Sequence, residues 1–334
     1  MKPVALVTGE VSPYRERPFQ MLAEAEHVEV LAHREITQVE AVKRIASGRY
    51  RAVVYGIGGR LALPGSYLAA RGRRIPFVLW TSLWAHPRTP AHALSWPATR
   101  HLYRHADAVV TYGRHVTRYV RRYRDGPIFE APQAVSSEMF APVSESDRAR
   151  ARARLGDGDF VLLFVGRLVR EKGVHVLLEA WRAAGLERGR LALVGDGPLR
   201  KLAGASAVGA VPREQLPALY AAADAAVLPS IGTATFLEPW GLVVNEAMHM
   251  GTPVIASDAV GAAAGGLVRD GRNGFVVPAG DPDALASRIR ALAAGSELRS
   301  ALGDAARADV EEFSETAWVE GMRAALRAVG AGRN

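Results

Sequence analysis

Phe160-Val161-Leu162-Leu163-Phe164-Val165-Gly166-Arg167-Leu168-Val169-Arg170-Glu171-Lys172-Gly173 is an apolar run, then a glycine-started loop, then the approach to a helix that begins at Val174. Six apolar residues bounded by a glycine read as a buried strand. The same strand-loop-helix unit recurs on either side. Leu191-Ala192-Leu193-Val194 runs into Gly195-Asp196-Gly197-Pro198, followed by Val208 to Pro212, Ala226 to Ser230 and Pro253 to Asp258. Earlier in the chain, Val4 to Thr8, Val28 to Leu31, Ala52 to Tyr55, Pro76 to Trp80, Ala108 to Thr111 and Pro127 to Glu130 are short strands, with helical patterns between most of them. Alternation of this kind predicts an α/β fold with parallel, doubly wound sheets, twice over. A chain of 334 residues suits two domains. Pro132 to Arg154 is polar and changes composition, so it reads as the passage between them. The expected division is residues 1–145 and 146–312, with a last helical pattern at 310–329.

Within this frame two cations stand out. Arg167 and Lys172 lie five residues apart across one strand-to-helix turn. Arginine offers two-pronged contact to phosphate oxygens and lysine a compact point charge, so the two could converge on one diphosphate. Further on, Glu238-Pro239-Trp240-Gly241-Leu242-Val243-Val244-Asn245-Glu246 sets two carboxylates eight positions apart around a Pro-Trp-Gly turn. Val243 to Met250 reads as a short helix ended by Gly251 before Thr252-Pro253. The amides of Gly241, Leu242 and Val243 would then be free at the helix N-terminus, where a phosphate group binds readily. A carboxylate on each side of an anion site suits a ligand with a diphosphate and many hydroxyls, such as a sugar nucleotide. The alternative is a surface loop with two solvated acids.

The order GRLxxEKG, VGDGPLR, GxVPxEQLPxLYAAAD, LPS, EPWGLVVNEAM, GTPVIASD and DGRNGF over roughly residues 155 to 312 resembles the C-terminal domain of retaining GT-B glycosyltransferases of the family 4 type, within glycosyl transferases group 1. The N-terminal half resembles that family only weakly. The resemblance implies two Rossmann-like domains facing a central cleft, with residues 313–334 packing back on the first. It implies transfer of a sugar from a nucleotide-diphosphate sugar, such as a UDP- or GDP-sugar, to a hydroxyl of a glycan or lipid-linked glycan, with retention and with neither metal nor cofactor. By the family pattern Glu246 would hold the ribose hydroxyls and Glu238 the donor sugar. Arg167 and Lys172 would stabilise the leaving diphosphate, and Val211 would sit near the base. Gly166, Trp240, Gly241, Leu242, Val243 and Arg15 complete the implied donor set. A sugar-nucleotide epimerase or a non-catalytic binding protein on the same scaffold is the runner-up.

Two N-terminal features depart from the family pattern. The first strand opens onto Gly9-Glu10-Val11-Ser12-Pro13-Tyr14-Arg15, a Tyr-Arg element where many members carry a glycine-rich acceptor loop. Arg15 could reach a phosphate or an acceptor carboxylate; otherwise this is a surface turn. Members often place a histidine just after the fourth strand. Here Thr81 or Ser82 holds that place and His86 comes four or five residues later; His86 could still point into the cleft as a catalytic residue, the alternative being a loop histidine. Gly56-Ile57-Gly58-Gly59-Arg60 fails as a dinucleotide fingerprint because Leu61 replaces the last glycine and the run follows the third strand.

The formal charge is +8. From Arg100 to Arg124 there are seven arginines against one acid, Asp107, and Arg114, Arg118, Arg121 and Arg122 fall on one face of a helix. That stripe reads either as a solvated face or as a contact with an anionic membrane surface. Nucleic acid is not expected, since no base-stacking aromatics or recognition helix accompany the charge. No apolar run approaches the length of a membrane span. Met1-Lys2 leads directly into a strand, so a cytoplasmic protein, peripheral on the inner membrane face, is expected. With no cysteine there is no disulfide frame or thiol nucleophile, and His and acidic residues do not cluster at metal-ligand spacing.

Overall fold

The computed structural model describes all residues except 57, 58, 60, 61 and 334. It divides into two compact units, Met1–Ala134 with Ser314–Asn334, and Val135–Phe313. Each carries a six-stranded sheet in which every pairing is parallel.

The first sheet comprises β1 (Val4–Thr8), β2 (Val28–Ala32), β3 (Ala52–Gly56), β4 (Phe77–Thr81), β5 (Ala108–Thr111) and β6 (Ile128–Glu130), in the order β2-β1-β3-β4-β5-β6. Its central strands are apolar on both faces because helices cover both, and Val4 to Val7 are fully buried. The order reverses between β1 and β3, which opens a crevice at their carboxyl ends. The helix Glu315–Ala328 closes one face of this unit. Trp318 packs 5.5 Å from Phe19 and 5.6 Å from Trp80, ring centre to ring centre. Gly321 lies against β6 so closely that a Cβ there would fall 2.1 Å from Glu130 O. Glu26, fully buried, receives Arg51 at 3.0 Å and Arg323 at 3.1 Å.

The second sheet comprises β7 (Phe160–Val165), β8 (Gly189–Val194), β9 (Ala207–Gly209), β10 (Ala225–Leu228), β11 (Val254–Ser257) and β12 (Gly274–Val277), in the order β12-β11-β10-β7-β8-β9. The predicted doubly wound α/β architecture is therefore present twice. Here the order reverses between β7 and β10, so the loops after those two strands flank the crevice of this unit.

The basic stripe is less helical than its spacing predicts. The helix Arg114–Val120 has seven residues, Arg121 is its C-cap, and Arg122 lies in the turn beyond. Arg121 donates to Asp125 O and Gly126 O, which bends the chain out of the helix. All four arginines remain exposed. Arg124 belongs to the interior instead: it is buried and donates to the carbonyls of Tyr103, Ala106, Asp107 and Pro127.

Candidate active site

The chain leaves β7 at Val165, turns through Gly166, and forms one 3-10 turn, Arg170–Lys172. Gly173 ends that turn at φ +71°, a left-handed conformation natural to glycine. A Cβ at Gly173 would sit 1.9 Å from Pro229 O, so the loop after β7 rests directly on the backbone after β10. Ile231 N–H donates to Glu171 O at 2.9 Å and ties the two loops together.

This contact fixes Lys172. Its ammonium pairs with Glu238 Oε2 and lies 5.8 Å from the centre of the Phe236 ring. Ser230 Oγ donates to the same Glu238 oxygen at 3.1 Å. The Lys172 side chain is 16% exposed and that of Glu238 9%, so the pair is held in a site from which most water is excluded. The backbone of Glu238 is fixed as well, since its carbonyl accepts from Gly261 N–H at 3.1 Å.

Gly241, at φ +92°, turns the chain into the helix Val243–His249. Trp240 Nε1 donates to Asn245 Oδ1 at 2.7 Å inside the fold, which staples the turn to the helix. Val244 N–H bonds to Gly241 O, so Gly241, Leu242 and Val243 precede the first bond of that helix. In its first turn Glu246 is buried, and Tyr220 OH donates to its Oε2 at 2.8 Å. Burial pushes the Glu246 carboxyl up from the ordinary range, against the Tyr220 bond and the Arg213 charge, which favour the ionised form. Burial and then the Glu246 charge push the Tyr220 phenol up in turn. The backbone carbonyl of Tyr220 accepts from Thr252 Oγ1 at 2.8 Å, so the backbone that carries this phenol is itself fixed.

The two cations do not share one contact set. Lys172 is in the cluster, whereas the Arg167 side chain is 67% exposed, 3.6 Å from Glu171. Glu171 one turn on draws Arg167 along the loop, while Glu238 draws Lys172 inward. Val211 is half-buried just after β9. Sequence reasoning assigned no role to Tyr220, Ser230 or Arg213, although the first two lie in the quoted LYAAAD and LPS motifs.

In the first unit the crevice at the carboxyl ends of the strands is a cavity of about 270 Å³. Arg15 lines it, on the helix Pro13–Glu26, together with Tyr14, Trp80, Ser82 and Tyr112. His86 is not among its lining residues. Its ring lies 4.6 Å from that of Trp96 and its Nε2 is 2.8 Å from His92 O, so it fastens a loop to the helix Pro90–His105. Ile57, Gly58, Arg60 and Leu61 of the glycine-rich run lie outside the described residues. Among the described residues no group of three or more His, Asp or Glu could hold a metal ion, and no helix is long and apolar enough to cross a membrane.

Comparison with known proteins adds the family. Residues 145–309 match the profile of the glycosyl transferases group 1 family. The alpha-D-kanosaminyltransferase of Streptomyces kanamyceticus is 30% identical over 317 residues, 86% of this chain and 79% of that protein. Seven other curated relatives match over 36% to 63% of their own length. Among solved structures, the sucrose-phosphate synthase of Thermosynechococcus elongatus has a TM-score of 0.77 at 24% identity, covering 99% of this chain and 100% of that one. HepE of Anabaena, solved with UDP and glucose, has a TM-score of 0.73 at 22% identity, covering 98% and 100%.

Proposed function

This chain belongs to the glycosyl transferases group 1 family, and from that footing we propose that it is a retaining GT-B enzyme that moves a sugar from a nucleotide diphosphate to an acceptor hydroxyl. The observation that carries the reading is the Lys172–Glu238–Ser230 cluster beside the switch point of the second sheet, with Glu246 one helix further on. Lys172 is the cation for the departing diphosphate, helped by Arg167 once an anion draws that exposed side chain in. Stabilising such a leaving group in a dry site is the largest single catalytic effect to be expected. As Lys172 turns to the diphosphate, Glu238 is released to hold hydroxyls of the donor sugar. Glu246, aimed by Tyr220, takes the ribose hydroxyls, and Val211 lies near the base. Gly166, Trp240, Gly241, Leu242 and Val243 shape the backbone around the donor. His86 is assigned to loop architecture. The two cations supply the charge that stabilises the leaving group. UDP in the HepE complex makes a uridine donor the first to try. A thermal-shift panel of UDP-, GDP-, ADP- and TDP-sugars tests the donor class, because a ligand that binds the native state alone raises the melting point.

Glu246→Gln is expected to weaken donor binding, and Glu238→Gln to lower turnover with donor affinity largely kept. Ribose does not react, so its contact helps ground and transition states alike, whereas the sugar contact changes during the reaction. Donor calorimetry beside steady-state kinetics separates the two. The reverse pattern would show the roles to be exchanged.

The same proposal places the enzyme in the cytoplasm, peripheral on an anionic membrane, with a glycan or lipid-linked acceptor. Exposed Arg114, Arg118, Arg121 and Arg122 support it. Each arginine near such a surface contributes about 1 kcal/mol to binding. Sedimentation with vesicles of graded anionic content should pull the protein down at low salt and release it at high salt, where screening shortens to a few ångströms. Changing all four residues to Gln should release it at any salt and lower the melting point only slightly, through loss of the Arg121 bonds to Asp125 O and Gly126 O. A native protein that stays in the supernatant at low salt refutes the attachment.

A further inference from the structure

Among the described residues Arg15 is held in place by aromatic rings and a phenol, without a counter-ion. Its guanidinium carbon lies 4.6 Å from the centre of the Trp80 ring and 5.3 Å from that of Tyr14, and its Nη2 donates to Tyr112 OH. Its Nε is buried and meets no hydrogen-bond acceptor, a rare condition for a native polar group. Among the described residues no carboxylate pairs with Arg15. The one acid in the cavity wall, Glu10, pairs at 2.7 Å with exposed Arg34. The cavity therefore presents one preorganised cation, hydroxyls from Thr8, Ser12 and Ser82, and flat aromatic walls. Gly9 adds room, since a Cβ there would meet nothing within 4 Å. About 270 Å³ is at the small end of ligand pockets, the scale of a single sugar ring.

We propose that this cavity, at the switch point of the first sheet, binds the acceptor and selects one whose sugar unit carries an oxyanion, with Arg15 as the residue that reads it. The proposal rests on the glycosyltransferase reading above and names its acceptor class. It moves Arg15 from the donor set, where the sequence placed it, to the acceptor. The aromatic platform and the Tyr112 hydroxyl fix the guanidinium plane, so that its remaining N–H groups present a fork to a carboxylate or phosphate. A neutral sugar would leave that charge uncompensated.

Calorimetry at low salt with methyl glucoside, glucuronate and glucose 6-phosphate tests this on the full chain and on Arg15→Gln and Tyr112→Phe. At least one anionic sugar should bind about tenfold tighter than methyl glucoside or better, the margin of one charged hydrogen bond. Which of the two does so identifies carboxylate or phosphate. The margin should vanish in Arg15→Gln and narrow in Tyr112→Phe, while UDP affinity is the same in all three proteins. Equal binding of the three sugars, no binding of any, or a margin that survives Arg15→Gln overturns the proposal. So does a loss of UDP affinity in Arg15→Gln, which would return the cavity to the donor. If UDP fails to bind the unaltered chain while the anion margin persists, the donor reading falls and the anion site stands.

Discussion

Lys172→Ala and Arg167→Ala are each expected to cut turnover by about 10²-fold or more, the usual cost of removing one charge contact to the developing anion at a reacting centre. The two variants should differ in every other respect. Lys172→Ala strips the cation from Glu238, whose side chain is 9% exposed, and so should also lower the melting point. Arg167 is two-thirds exposed and 3.6 Å from Glu171, so its removal should leave stability unchanged. Single-turnover kinetics with saturating donor, read beside melting curves, gives both quantities. Near-native turnover in both variants would remove the diphosphate from this loop.

The largest effect on stability should come from one methyl group. Gly173→Ala puts a Cβ 1.9 Å from Pro229 O at a backbone angle of φ +71°. The conformational penalty and the overlap together should cost on the order of 3 kcal/mol. For a unit of this size that lowers the melting point by roughly 6–12 °C. Gly185→Ala is the matched control, because Gly185 is also left-handed, at φ +63°, yet a Cβ there would meet nothing within 4 Å. It should show the angular cost alone, about 1–2 kcal/mol. Equal destabilisation in the two variants would mean that the close approach of the two loops carries no weight. Because Gly173 adjoins Lys172, the alanine variant should also lose donor affinity, which Gly185→Ala should keep.

Much of this architecture is legible in the residues themselves. Apolar runs such as Phe160 to Val165 and Val4 to Thr8 are too short for buried helices and stop at Gly166 and Gly9, so strand positions follow from length and flanking residues. Lys172 and Glu238 stand out by charge and spacing at loop turns, but their pairing spans 66 positions, and no local rule predicts it. The same holds for Tyr220 and Glu246, 26 apart, where the signal was only that both stand in recognisable motifs. Arg124 shows the opposite failure. In the sequence it is one more charge in a basic run, and only the convergence of four carbonyls on it makes it a buried structural residue. His86 likewise follows the fourth strand as a functional histidine would, but the ring of Trp96 and the carbonyl of His92 claim it.

The helix Glu315–Ala328 has a consequence for how the chain is made. Trp318, Val319, Met322, Ala325 and Leu326 belong to the same apolar cluster as Val4, Leu6 and Trp80. Residues 135–313, by contrast, form one uninterrupted unit. On the ribosome the second unit therefore has all its parts before the first does, and the usual order of completion, amino-terminal domain first, is inverted. Until residues 314–328 emerge, one face of the first sheet stands uncovered beside Phe19 and Trp80, an apolar surface open to chaperones and to aggregation for as long as translation of the intervening unit takes.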